Sequence, residues 1–171
     1  MPEVRIAAAV LAAGQSRRFG AEDKLSAPFA DGLLGQHVPA VLGGLDLDHR
    51  WIIASRSDHP CAASWSQAGF EIAVNERAAD GMGHSLALAA QLAAQAGVDG
   101  LLIALADMPF VPASHFAALL ERGAGRGPEA IVASQGNEQR SPPAWFGRAH
   151  LAALLPRQPL QHLLLHQLWP I

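Results

Sequence analysis

Apolar and polar positions alternate in blocks along the chain. Val4 to Leu11 is continuously apolar after its first two residues and runs into Ala12-Ala13-Gly14, the pattern of a strand buried on both faces of a sheet. Trp51–Ala54, Phe70–Val74, Leu101–Leu105 and Ala130–Ala133 are further short apolar runs, each bounded by polar or Gly-rich residues, and each reads as a strand. Between them helical spacing predicts helices over Gly35–Leu45, Cys61–Gln67, Gly83–Ala96 and Pro112–Arg122. The last opens with proline in its first turn and closes at Gly123. Residues 123–127 are Gly-rich but follow a helix, so they read as a turn. Arg148 to Ile171 carries Leu and His at helical spacing, interrupted at Pro156 and Pro159, which predicts one or two packing helices. Strand and helix alternate throughout, predicting a three-layer α/β sandwich with a mostly parallel sheet and right-handed crossovers. No repeat or linker divides the 171 residues, so they read as one domain.

Composition narrows the chemistry. Half of the residues are hydrophobic and 16% are charged, enough apolar material for a core without disulfide or metal staples. The formal charge of −3 offers no overall basic field for a nucleic-acid backbone. Cys61 is the single cysteine, which excludes an intrachain disulfide and a Cys-rich zinc site and fits a reducing cytoplasm. The longest nearly apolar stretch, Ile6–Ala13, falls far short of the roughly 20 residues of a membrane helix, and Met-Pro-Glu-Val-Arg is a poor export signal. The expectation is a cytoplasmic protein with no membrane partner. Eleven of the twelve basic residues are arginine, and Lys24 is the one lysine.

In an open parallel sheet, ligands bind outside the carboxyl ends of the strands. Three distinctive segments fall there. Gly14-Gln-Ser-Arg-Arg-Phe-Gly20, with Asp23-Lys24 behind it, can present amides and cations to a polyphosphate, although it has neither the P-loop nor the dinucleotide spacing. Asn75 to Ser85 leads into the Ala-rich helix. Its Gly81 and Gly83 permit close approach of a ligand, and Asn75 and Ser85 supply hydrogen bonds. Asp107 follows Leu-Leu-Ile-Ala-Leu-Ala and precedes Met-Pro, so it stands at a strand tip, where a carboxylate can ligate Mg²⁺ together with phosphate oxygens. Taken singly these segments are a surface loop, a helix entry and a turn aspartate; their coincidence at one sheet edge points to a nucleotide site.

Leu11-Ala-Ala-Gly-Gln-Ser-Arg-Arg-Phe-Gly20 with Asp23-Lys24-Leu25 resembles the signature of the MobA-like nucleotidyltransferases, which include the molybdenum cofactor cytidylyl- and guanylyltransferases. Asn75–Leu86 is similar to that family's Asn-Pro…Glu-Gly-Met-Gly-Ser-Ser-Leu segment and Leu105–Val111 to its Asp-x-Pro metal segment. A weaker match at Pro143-Ala-Trp-Phe146 corresponds to a family strand. The resemblance implies a Rossmann-like nucleotidyltransferase sheet. It implies that Leu11, Ala12, Ala13 and Gly14 contact the nucleotide and that Arg18 and Lys24 act on its phosphates. Asn75, Gly81 and Ser85 then lie near base or ribose, and Asp107 holds Mg²⁺. Alanine as the third residue of Leu-Ala-Ala-Gly is closer to the cytidylyl branch, which implies transfer of CMP from CTP to the phosphate of molybdopterin. A guanylyltransferase using GTP, a sugar-phosphate nucleotidyltransferase, and a non-catalytic maturation partner of a molybdenum hydroxylase are the alternatives.

The chain departs from the family pattern in places. The cytidylyl branch has a late metal-binding aspartate, whereas the last carboxylate here is Glu138. Against the resemblance a shortened C-terminus is the expectation, His84 replaces a common serine, and Ser141-Pro142 replace the usual glycine and its neighbour. Asp80, water or a second subunit would have to complete a metal shell. His162 and His166 share a helical spacing, but two histidines without a third ligand read as surface or packing residues, as do His59 and His150. No Gly-x-Ser-x-Gly elbow supports a hydrolase. Trp145 and Phe146 read as core.

Overall fold

The computed structural model describes residues 3–14, 23–136 and 139–155. The apolar runs form the strands β1 (Ile6–Leu11), β4 (His49–Ala54), β5 (Glu71–Val74), β6 (Gly100–Leu105) and β7 (Ile131–Gly136). Two short strands, β2 (Pro28–Phe29) and β3 (Gly32–Leu33), make a separate antiparallel hairpin. A long strand β8 spans Gln139–Gly147. The main sheet runs β5-β4-β1-β6-β8-β7, with β5, β4, β1 and β6 parallel and β8 antiparallel to both neighbours.

Successive strand residues point to opposite faces, and both faces are buried. Ala8, Val10, Ile52 and Leu102 pack against α1 (His37–Gly43), α2 (Ala62–Gln67) and α4 (Ala113–Gly125). Ala7, Ala9, Leu11, Ile53 and Ile103 pack against α3 (Met82–Ala96) and the 3-10 turns of Arg148–Leu154. The Ala-rich face of α3, with Ala89, Ala90 and Ala93 fully buried, lies on the alanines of β1. Small side chains on both partners set a close approach. Gly97, left-handed at φ 65°, ends α3, and Val98 donates back to Ala93 O, closing a Schellman cap.

The helix expected over Gly35–Leu45 begins as a 3-10 turn, Leu34–Gln36, and becomes α-helical at His37. Pro112 is the N-cap of α4 rather than its first helical residue. The Gly-rich segment read as a turn is a helix through Gly125, and chain reversal waits for Gly127 at φ 83°. Gly123 is glycine for packing: a Cβ there, like one at Gly100, would overlap the Trp145 ring. Pattern reading finds no strand at Gln139–Ser141 because they are polar and two prolines follow. The register jumps from Ala133↔Ala144 to Ser134↔Ser141, so Pro142 and Pro143 fall in the irregularity where neither ladder needs their missing N–H groups. His115 Nε2 donates to Ser134 Oγ (2.7 Å), which donates to Pro143 O (2.8 Å) and ties α4 to this kink. Of the C-terminal tail, residues 148–154 form 3-10 turns, while Pro156, Pro159, His162 and His166 lie outside the described residues.

Helix propensity favours alanine over glycine by about 1 kcal/mol, whereas overpacking a rigid ring costs about 1–3 kcal/mol. Gly123→Ala therefore destabilises the fold in urea unfolding. Gly125→Ala, where a Cβ meets nothing within 4 Å, leaves stability unchanged or raised by up to about 1 kcal/mol.

Candidate functional site

Strand order reverses between β1 and β6, the position where doubly wound sheets open a crevice. Leu11 pairs with Leu105, and the Ala106 amide donates to the Leu11 carbonyl (3.1 Å). The chain leaves the two strands side by side as Ala12-Ala13-Gly14 and Ala106-Asp107. Ala12 N is bound to Ile53 O (2.8 Å). Leu11, Ala12 and Ala13 are buried and Gly14 is exposed, where a Cβ would meet nothing within 4 Å.

Lys24 begins a 3-10 turn, Lys24–Ser26, whose N-cap is Asp23. The Asp23 carboxylate accepts from Leu25 N (3.1 Å) and Ser26 Oγ (3.3 Å), and Leu25 is sunk in the core. Beside that anchor, Lys24 Nζ donates to Asp107 Oδ2 at 3.0 Å. The chain's one lysine thus meets the carboxylate at the tip of β6 across the crevice. Their side chains are 36% and 40% exposed, and such a pair contributes at most about 1 kcal/mol to stability. Stability is a weak reason for the contact; access to solvent suits a ligand.

Asn75 and Ser85 are brought together but face inward. Asn75 Nδ2 donates to Ser85 Oγ (2.9 Å), its Oδ1 accepts from Arg77 N (3.0 Å), and both residues are buried. This pair fastens the loop after β5 to the first turn of α3. Gly81, the N-cap, holds φ 113° and ψ 171°, a conformation that only glycine adopts readily. At about 4.8 Å per strand, the end of β5 lies roughly 10 Å from β1 along the same sheet edge. Arg18 lies outside the described residues, as does Glu138.

A metal shell is sparse. Asp80 is ion-paired to Arg77 (2.8 Å), and among the described residues no group of three or more His, Cys, Asp or Glu is arranged to hold a metal ion. One half-exposed carboxylate nonetheless fits Mg²⁺, which takes one or two protein carboxylates with phosphate oxygens and water.

Two features escape the sequence reading. Phe110 is 85% exposed, with its ring edge-on to Phe29 at 5.5 Å. At about 3.6 Å per residue, its Cα lies within about 11 Å of that of Asp107. An aromatic residue directly after Asp-x-Pro is the signal that marks it. His59, read as a packing residue, is buried and hydrogen-bonded to Asp23 through Nε2; no spacing in the sequence links residues 36 apart. His150 bonds the Glu129 carbonyl (2.9 Å), a packing role as expected. Trp145 and Phe146 are buried.

A profile of the MobA-like NTP transferase domain matches residues 8–166. The chain belongs to that family. As a MobA-like domain it is a nucleotidyltransferase. It is 31% identical over 144 residues to the purine catabolism protein PucB of Bacillus subtilis (strain 168), a match covering 80% of this chain and 67% of PucB. Among solved structures, the MobA-like domain is similar to Rv0371c of Mycobacterium tuberculosis H37Rv, with TM-score 0.72 and 24% identity over 97% of this chain and 84% of that one. It is also similar to that protein's complex with manganese (TM-score 0.70, 20% identity, 95% and 83% covered). A 4-diphosphocytidyl-2C-methyl-D-erythritol synthase shares the fold at TM-score 0.63 and 14% identity, with 89% and 80% covered. At these identities the structural likeness establishes the fold. Among the described residues no helix is long and apolar enough to cross a membrane.

Cys61 lies beneath the site, its Sγ directed at Leu25 O (3.6 Å). Burial, reinforced by the nearby Asp23 charge and opposed by a hydrogen bond with the Gly35 backbone, pushes its thiol up from 9.0 to about 11. The folded state therefore keeps a proton that the unfolded chain gives up, so stability is full below about pH 9 and declines between about 9 and 11. Cys61→Ala removes this component of the decline in unfolding curves measured across that interval.

Proposed function

We propose that the chain transfers CMP from CTP to the terminal phosphate of molybdopterin, releasing pyrophosphate. The observation that carries this reading is the Lys24–Asp107 contact of 3.0 Å at the β1/β6 crevice, because phosphoryl chemistry requires charge of both kinds at one place. Lys24 moves from Asp107 to phosphate oxygens when nucleotide enters, and there it offsets charge that develops on the α-phosphate and the leaving pyrophosphate. Arg18 adds a second cation. Asp107 would hold Mg²⁺, which when bound supplies positive charge to the same phosphate oxygens. The acceptor phosphate attacks the α-phosphorus in line, the bond to the bridging oxygen breaks, and pyrophosphate departs; no covalent enzyme intermediate is needed.

The backbone of Leu11, Ala12, Ala13 and Gly14 frames the nucleotide in this reading, and Gly81 admits base or ribose close to the α3 terminus. The buried Asn75–Ser85 pair keeps that entrance in shape. CTP is preferred over GTP on the second alanine of Leu11-Ala-Ala-Gly14. The exposed Phe110 ring supports an acceptor that carries a flat heterocycle over a bare sugar phosphate, since such rings stack on aromatic faces. A cytoplasmic setting fits the free thiol.

The test is pyrophosphate release with CTP or GTP, Mg²⁺ and molybdopterin. Lys24→Ala and Asp107→Ala each lower kcat/KM by about 10²–10³-fold, the usual effect of removing a group that stabilises transition-state charge. Full turnover by Asp107→Ala would remove the metal assignment. Pyrophosphate formed only with a sugar 1-phosphate would replace the acceptor. Binding of CTP with Mg²⁺ and no turnover would favour a maturation partner for a molybdenum hydroxylase. Phe110→Ala raises KM for molybdopterin about 5–100-fold, the loss of one stacking contact, and leaves KM for CTP unchanged.

A further inference from the structure

We propose that His59 is a positioning residue for transfer, acting on Lys24 through Asp23; the inference rests on the nucleotidyltransfer reading. His59 is 5% exposed in the loop after β4, and both ring nitrogens are engaged. The Cys61 amide donates to Nδ1 at 3.0 Å, which leaves the ring proton on Nε2, and Nε2 meets Asp23 Oδ2. The ring lies nearly flat on Trp65, with centroids 4.7 Å apart and planes 20° from parallel. Trp65 is itself fixed by burial and by its Nε1 bond to Gly35 O (2.8 Å). Imidazole tilt, position and tautomer are therefore all set by the fold.

Among the described residues the Asp23 carboxylate receives three donors: Leu25 N, Ser26 Oγ and His59 Nε2. Two belong to the turn that starts with Lys24, and the third comes from a different strand's loop. Among the described residues the other two donors to the Asp23 carboxylate come from the turn that it caps, so Leu25 in the core holds one end of this turn and His59 holds the end that carries the Lys24 backbone. Misplacing a reacting group by about 1 Å can cost 10²-fold in rate, so a second anchor, fixed by Trp65 and the Cys61 amide, matters more for turnover than for stability.

His59→Phe keeps the bulk and the stack on Trp65 but loses the Nε2 donor, while His59→Gln places an amide donor near the Nε2 position. In pyrophosphate release with MgCTP and molybdopterin, H59F is expected to lose about 10–100-fold, mostly in kcat, with KM for CTP changing less than about threefold. H59Q recovers most of the loss. In an Asp23→Ala background, H59F costs less than about twofold, because residues acting along one path are not additive. Wild-type turnover by H59F, equal losses in H59F and H59Q, or the same fold loss with and without Asp23 would each overturn the proposal. Nitrogen-15 spectra of the wild-type histidine rings keep it testable even if H59F does not fold. They are expected to show His59 protonated at Nε2, with that signal moved by Asp23→Ala; protonation at Nδ1 would overturn it. A wild-type chain that transfers no nucleotide would reject the nucleotidyltransfer reading, while this spectrum would still report the His59–Asp23 bond.

Discussion

The bond from the Ala106 amide to the Leu11 carbonyl marks the constraint on which the site depends. It joins the last residue of β1 to the residue just past β6; these two strands are neighbours in the sheet and distant in sequence. The crossover out of β1 runs through α1 on one face and the connection into β6 runs through α3 on the other, so the carboxyl ends of these two strands border a gap where the strand order switches. Among the described residues two opposite charges are hung from that gap: Asp107 one residue beyond Ala106, and Lys24 on a turn secured by Leu25 in the core. The sheet below is rigid because it is dry on both faces, with the alanines of β1 admitting α3 on one side and α1, α2 and α4 closing the other.

Four parallel strands and their crossovers were legible because buried strands read as unbroken apolar runs and helices as 3.6-residue periodicity. β8 was not legible from pattern, since Gln139-Arg140-Ser141-Pro142-Pro143 carries no apolar signal; its place depends on a register jump that excuses the prolines. Gly123 misled for a related reason. Glycine in a sequence signals a turn, but here it makes room for the indole of Trp145 within a helix, and that requirement exists only once α4 and β8 have packed.

In the site, residue type betrayed Lys24 and Asp107: a single lysine in an arginine-rich chain and an aspartate ending an apolar run. Their contact at 3.0 Å follows from the sheet order. Asn75 and Ser85 were legible as polar residues in a Gly-rich entrance, yet their hydrogen bond to one another is a tertiary fact. The Asp23–His59–Trp65 stack lay beyond the sequence entirely. An aspartate before a short turn announces a cap, but its buried imidazole partner comes from the loop after β4, and only the parallel pairing of β1 with β4 brings them together. A nucleotidyltransferase needs little reactive side-chain chemistry and much placement, so the residues that place others are the ones a linear reading misses.

The central claim is that Lys24 and Asp107 share one triphosphate across the crevice. A crystal structure with Mg²⁺ and a non-hydrolysable CTP analogue tests it most directly. The account predicts that Lys24 Nζ has left Asp107 Oδ2 for a phosphate oxygen, with Asp107 facing the same polyphosphate chain from the β6 side. Nucleotide bound away from the β1/β6 gap, with the lysine–aspartate contact intact, would contradict it.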